Sequence, residues 1–308
     1  PRSTPRETRF PYTTLFRSIE VKTQVEDFGV SPGGERLLVT ARGDVFTVPV
    51  EHGVTRNLTQ RGDAHDREAA WSPDGKQVAF VSDRSGEEQL YVVPHDGGEA
   101  RALTLRGAAR LYRPQWAPDG SAIAFHDQTG KVRVADLDGR ETVAYTSAYG
   151  AVTDYQWAPD SQWLAFTVRS EGGAAAIRLW SRDDGRLLEA TDGRFNAYAP
   201  AFSADGKHLY FLSDREFAPQ IGSFEWNYVA DRETGIFALA LNADSGNPFG
   251  PRNDEAGDTK KADKESADKQ GKKDAAEAKV TVVVDADGLA DRLIRVPVEA
   301  DNFMAVYP

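Results

Sequence analysis

Five histidines and forty-eight acidic residues are the raw material for chemistry in this 308-residue chain, and no cysteine is present to act as nucleophile or thiolate ligand. No G-x-S-x-G nucleophile elbow occurs, and no two histidines have the H-x-x-x-H spacing that aims both imidazoles at one metal. His52 and His95 fall in equivalent polar turns, His65 and His126 precede Asp66 and Asp127, and His208 starts an apolar run. A triad assembled from distant residues would need more than this, because histidines beside carboxylates are ordinary on a surface. "DLDG" at Asp136 and "DADG" at Asp285 begin like calcium loops but lack the third oxygen ligand and the Glu at position 12, so they read as Asp-Gly turns. "NLT" at Asn57 matches a glycosylation sequon, yet its repeat-mate is "ALT" at Ala102, which makes Leu58 and Leu103 core positions. "SDR" recurs at Ser82 and Ser213; Arg84 and Arg215 are able to bind carboxylates, but the favoured reading is a loop bracket in which Asp83 or Asp214 accepts hydrogen bonds from turn amides. No Gly-rich phosphate cradle opens a helix. The residues therefore predict no catalytic side chain, no metal site and no cofactor.

The formal charge is −11, of which the first eighteen residues contribute +3, leaving −14 for the rest. A polyanionic surface repels phosphate backbones, so no nucleic-acid partner is expected. No apolar run approaches the roughly 20 residues that span a bilayer, and no membrane association is expected. The absence of cysteine fits a reducing compartment, which points to the cytoplasm, with an exported, periplasmic protein as the alternative. "FPYTTLFRS", Phe10 to Ser18, resembles the translation of a sequencing-adapter oligonucleotide, so residues 1–18 are read as a disordered artefact outside the fold. The native N-terminus is then expected to be missing, and the abrupt "NFMAVYP" ending suggests the same of the C-terminus.

The elements that would have to position any site come from an internal repeat. "SPGG" at Ser31, "SPDG" at Ser72, "APDG" at Ala117, "APDS" at Ala158 and "SADG" at Ser203 start 41, 45, 41 and 45 residues apart. That period matches the roughly 40 to 45 residues of a four-stranded propeller blade. In the unit "WSPDGKQVAFVSDRSGEEQLYVV", Ser72 to Gly75 has the preferences of a type I turn. Gln77 to Ser82 alternates around Val78 and Phe80, "QLYVV" follows a polar turn, and "ARALT" supplies a fourth strand. Trp71, Trp116, Trp157 and Phe202 hold one place before each turn and are read as rings packed between blades. The fold class is thus all-β: a β-propeller of four-stranded antiparallel blades, about five to six of an expected seven, over residues 19–251. After the fifth turn an aromatic-rich excursion, Asp214 to Leu241, is too apolar to be merely solvated and is expected to pack on a neighbour. Residues 252–279 hold eight basic and eight acidic residues and no aromatic, Val, Ile or Leu, the composition of a disordered insert. Residues 280–308 then read as the start of a further blade.

The W-[SA]-P-D-[GS] repeats followed by [VIL]-A-F resemble the propeller units shared by TolB and by propeller-bearing serine peptidases. Three more stretches narrow this: "LLVTARGDVFTVPVEHGVTRNLT", "FLSDREFAPQIGSFEWNYVADRETGIFAL", and the charged insert followed by "VVDADGLADRLIRVPVEADNF". In that order they resemble the second, seven-bladed propeller of bacterial tricorn-like peptidases over residues 19–308. The resemblance implies a large serine peptidase with two propellers, a PDZ domain and a C-terminal core carrying a serine, a histidine, a second serine and a glutamate. It also implies a cytoplasmic, often hexameric assembly that trims peptides, the propellers gating access. No motif of that core occurs here, so no catalytic residue is carried over. The competing readings are a TolB-like interaction propeller without enzymatic activity and a propeller attached to an α/β-hydrolase peptidase.

Overall fold

The computed structural model describes residues 24–104, 109–150, 152, 154–216, 220–221, 228–229, 232–250 and 280–307. The expected artefact at 1–18, the charged stretch 252–279 and much of the aromatic excursion lie outside them. Each repeat folds into a four-stranded antiparallel sheet with strands in chain order. The first sheet is β1 (Val25–Val30), β2 (Arg36–Ala41), β3 (Asp44–Pro49) and β4 (Arg56–Asn57). The second is β5 (Asp66–Trp71), β6 (Gln77–Ser82), β7 (Gln89–Pro94) and β8 (Arg101–Ala102), and the third is β9 (Leu111–Trp116), β10 (Ala122–Asp127), β11 (Lys131–Asp136) and β12 (Glu141–Thr146). The fourth is β13 (Tyr155–Trp157), β14 (Trp163–Arg169), β15 (Ala175–Ser181) and β16 (Leu187–Glu189). The fifth begins with β17 (Ala197–Phe202) and β18 (His208–Ser213), admits a small hairpin of β19 (Gln220–Ile221) and β20 (Tyr228–Val229), and ends with β21 (Gly235–Ala240) and β22 (Leu293–Arg295). No helix among the described residues is long and apolar enough to cross a membrane.

The turn chemistry explains why the hairpins close where they do. The Gly75 N–H donates to Ser72 O at 2.9 Å, Ser72 Oγ donates to the Asp74 carboxylate at 2.7 Å, and the same Oγ accepts the Gln77 N–H at 2.9 Å. Gly75 has φ +69°, a left-handed conformation that only glycine adopts freely. Ser203, Asp205 and His208 repeat the arrangement in the fifth sheet. A second repeated device ties the outer strands: the hydroxyls of Thr59, Thr104 and Thr191 accept the N–H groups of Val45, Leu90 and Ile177.

Expected alternation in the second strand of each blade gives way to burial on both faces. Val78 and Phe80 pack toward Leu38, Val45 and Leu58 of the first sheet, while Ala79 and Val81 pack toward Trp116, Ile123 and Phe125 of the third. A sheet sandwiched between two others has no solvent face, so its central strands read as nearly continuous apolar runs. Phe80, Phe125, Phe166 and Phe211 hold the same place in four sheets and all are fully buried. Two of the three indoles behave as expected: Trp116 and Trp157 are buried, and their Nε1–H groups donate to Ala70 O and Gln115 O of the respective preceding sheets, each at 3.2 Å, whereas Trp71 is half-buried.

Within residues 280–308, expected to open a further blade, one strand joins the fifth sheet. Leu293, Ile294 and Arg295 pair with Leu239, Ala238 and Phe237, so β22 is the outermost strand of the fifth sheet. The charged stretch thus interrupts a blade between its third and fourth strands. The return path is anchored beneath it: Val282 and Val284 are buried beside Trp163 and Phe202, and the Val282 N–H donates to the Asp160 carboxylate at 2.8 Å. The Arg292 guanidinium then donates to the carbonyls of Ala240, Leu241, Asp285 and Asp287, satisfying the chain reversal before β22.

Candidate functional site

The first strands of neighbouring sheets lie side by side, β1 against β5, β5 against β9 and β13 against β17. Three of them carry a bulge three residues before the inter-sheet aromatic. Glu68, Arg113 and Ala199 have φ of +54°, +51° and +52° there, and the pairing register slips across the same positions. A left-handed L-residue costs on the order of 1–3 kcal/mol and persists only where its surroundings hold it. Here the hold comes from the preceding sheet: the Glu68 carboxylate accepts the Arg113 N–H at 3.1 Å, and the Asp154 carboxylate accepts the Ala199 N–H at 3.2 Å. Asp154, itself three residues before Trp157, also stands 3.8 Å from the Arg113 guanidinium.

A cavity of about 640 Å³ opens along these strands, lined from the first four sheets by Asp27, His65, Arg67, Glu68, Arg113 and Tyr155 among others. Arg67 is its organiser. Its side chain is 7% exposed and donates to the Glu88 carboxylate at 2.5 Å, to Leu111 O at 2.9 Å and to Glu68 at 3.3 Å. Tyr155 donates its phenol hydrogen toward the carbonyls of Tyr112 and Arg113, and burial pushes its pKa up. Behind this wall His126 stacks on Tyr112 with ring centroids 5.2 Å apart and meets the Tyr155 ring edge at 5.8 Å. Burial, reinforced by the Arg113 charge and opposed by Asp127, pushes the His126 pKa down to about 4. The imidazole is therefore neutral at physiological pH and acts as a packed ring.

The other histidines are scattered. His52 is exposed beside Glu51, His95 sits in the turn after β7, His65 enters β5 at the cavity rim, and His208 directs Nε2 to Gly246 O at 3.0 Å. Among the described residues no group of three or more His, Asp or Glu could hold a metal ion. The "SDR" brackets form with other donors than expected. Asp83 accepts the His65 N–H at 2.7 Å, and Asp214 accepts the Tyr198 hydroxyl at 3.1 Å. Arg84 does take a carboxylate, the buried Asp66 at 3.0 Å, while its guanidinium lies over the Phe80 and Tyr91 rings. "DLDG" closes as a turn, with the Gly139 N–H on Asp136 O at 3.0 Å. The residues that sequence reading passed over are Glu68, Arg113, Asp154 and Tyr155. For Glu68, Arg113 and Asp154 the one readable signal is the three-residue offset before Trp71, Trp116 and Trp157.

With this geometry in view, comparison with known proteins is decisive. The family model described as the tricorn protease second beta propeller domain matches residues 25–308. The chain belongs to that family. It is 31% identical over 177 residues to tricorn protease homolog 1 of Streptomyces coelicolor, an alignment covering 57% of this chain and 15% of the relative. The tricorn protease of Thermoplasma acidophilum is 28% identical over 125 residues, covering 38% of this chain and 12% of that protein. The crystal structure of the tricorn protease superposes with a TM-score of 0.76 at 20% identity, covering 94% of this chain and 26% of that one, which shows the same fold. The tricorn propeller chain thus corresponds to a fraction of the length of the relatives it matches. Within that fraction it matches the second propeller domain.

Proposed function

We propose that this tricorn-family propeller is non-catalytic and scaffolds and gates the access of peptide substrates to a serine-peptidase core lying C-terminal to it in the parent protein. The observation that carries the reading is the family match over residues 25–308 together with a polar cavity at the inner strands. In this reading no residue of the chain is catalytic and no cofactor is bound. The parent protein is a cytoplasmic homo-oligomer, and the polyanionic surface excludes nucleic acid. A propeller suits gating because its first strands converge on one axis, where side chains from several blades face a common passage. Two measurements test it. The purified chain should bind short peptides and hydrolyse none of them; turnover abolished by changing a single His or Ser would overturn the non-catalytic role. The encoding DNA, read past Pro308, should continue into a PDZ-like segment and a serine/histidine core, and an open frame lacking both would overturn the assignment to a peptidase.

A further inference from the structure

β9 is the innermost strand of the third sheet, and the edge it turns away from β10 is the natural place for an extended peptide to add as a further strand. That edge is closed by side chains of the flanking sheets. The Leu111 N–H is taken by the Glu88 carboxylate at 2.8 Å and the Leu111 carbonyl by Arg67 at 2.9 Å. The Arg113 N–H is taken by Glu68 at 3.1 Å, the Arg113 carbonyl by the Tyr155 hydroxyl, and Pro114 has no N–H to offer. The same closure recurs on β17, where Asp154 takes the Ala199 N–H and Gln156 takes the Phe202 N–H at 2.7 Å. The left-handed bulges add a kink that breaks strand pairing at these places.

Charge completes the picture. Each arginine lining the cavity already faces a carboxylate: Arg67 and Arg110 face Glu88, and Arg113 faces Asp154. Glu26 and Asp27, exposed on β1 and also lining the cavity, form no ion pair among the described residues. Resting on the peptide-gating reading, we propose that this cavity engages passing peptides through their charged side chains, lysine and arginine foremost, and is built to refuse their backbone. Strand addition would hold a peptide by a ladder of main-chain bonds regardless of its sequence. A closed edge lets it slide and leaves discrimination to exposed, rapidly exchanging charge pairs.

The test uses the full chain and fluorescent ten-residue peptides: one carrying lysines, the same peptide with alternate backbone amides N-methylated, and a Ser/Gly control. The lysine peptide and its N-methylated form should bind within about twofold of each other, both losing about tenfold in affinity from low to high salt, with the control far weaker. Combining Glu26→Gln with Asp27→Asn, both at exposed sites, should weaken lysine-peptide binding about fivefold and leave the control unchanged. A tenfold or greater loss on N-methylation would refute the backbone-refusing edge while peptide binding itself stood. Lysine-peptide affinity untouched by the double substitution would refute the charge contact. Failure of every peptide to bind would instead overturn the peptide-gating reading, and this inference with it.

Discussion

Arg67 carries more of the inner wall than any other side chain described here. It bridges two carboxylates and one carbonyl while almost wholly buried, so replacing it leaves Leu111 O without its donor and Glu88 with only the Leu111 N–H and the more distant Arg110. Arg67→Ala is expected to cost about 3 kcal/mol in urea unfolding, whereas Arg61→Ala, which removes an exposed pair with Asp63, should lie within experimental error. His126 offers a titration at the same scale. Its folded pKa, about 4, lies below the usual 6.5, so the unfolded chain binds the extra proton first. Its neutral burial therefore favours the fold fully above pH 6.5 and loses that advantage as pH falls toward 4. His126→Phe keeps a ring against Tyr112 and removes the titration. The melting-temperature difference between wild type and this variant should shift in the variant's favour across that pH window; a constant difference would refute the assignment. None of this was visible in the sequence, where His126 is one of three histidines preceding an aspartate and Arg67 sits in an unremarkable "DRE".

At the scale of elements, the turn and the bulge behave differently. The Ser-Pro-Asp-Gly turns were legible because each residue type acts locally: a hydroxyl, a fixed φ, a carboxylate and a missing Cβ, all within four residues. The bulges were not, because Glu68, Arg113 and Ala199 adopt left-handed backbone with ordinary side chains, the last two held there by neighbours about 45 residues away. Ala199 exposes this strain to measurement. With φ +52° its Cβ opposes the backbone it sits on, so Ala199→Gly should relieve more strain than it adds chain entropy and stabilise the protein by about 0.5 kcal/mol. Destabilisation by the same substitution would mean that the bulge carries no strain. The fourth strand of the fifth sheet teaches a related lesson: "RLIRVPV" reads as the opening of a new blade, yet β21 has an edge left open by the charged interruption and β22 closes it.

Across the whole molecule the sheets are stacked as nearest neighbours, so protection from solvent should follow position in the stack. β1 is largely exposed, with Phe28 at 73%, whereas β6, β10 and β14 are buried on both faces. Hydrogen exchange read by mass spectrometry should show amides of β1 exchanging orders of magnitude faster than those of β10, and equal rates would refute a stack with unequal ends. What the sequence by itself determined was the blade. A period near 43 residues, local turn chemistry and one aromatic per repeat specify a four-stranded meander from short-range preferences alone, while the less regular stretches around it, above all Asp214 to Leu241, carried the resemblance to the family. The tertiary structure alone decided the inner wall. Which carboxylate caps which amide and where the strands kink depend on contacts between blades, and which strand completes the fifth sheet depends on β21 pairing with a strand more than fifty residues further along the chain. The contacts between blades join residues from 23 to 46 positions apart, or more than a hundred for Val282 and Asp160, whose side chains show nothing unusual until the sheets are stacked.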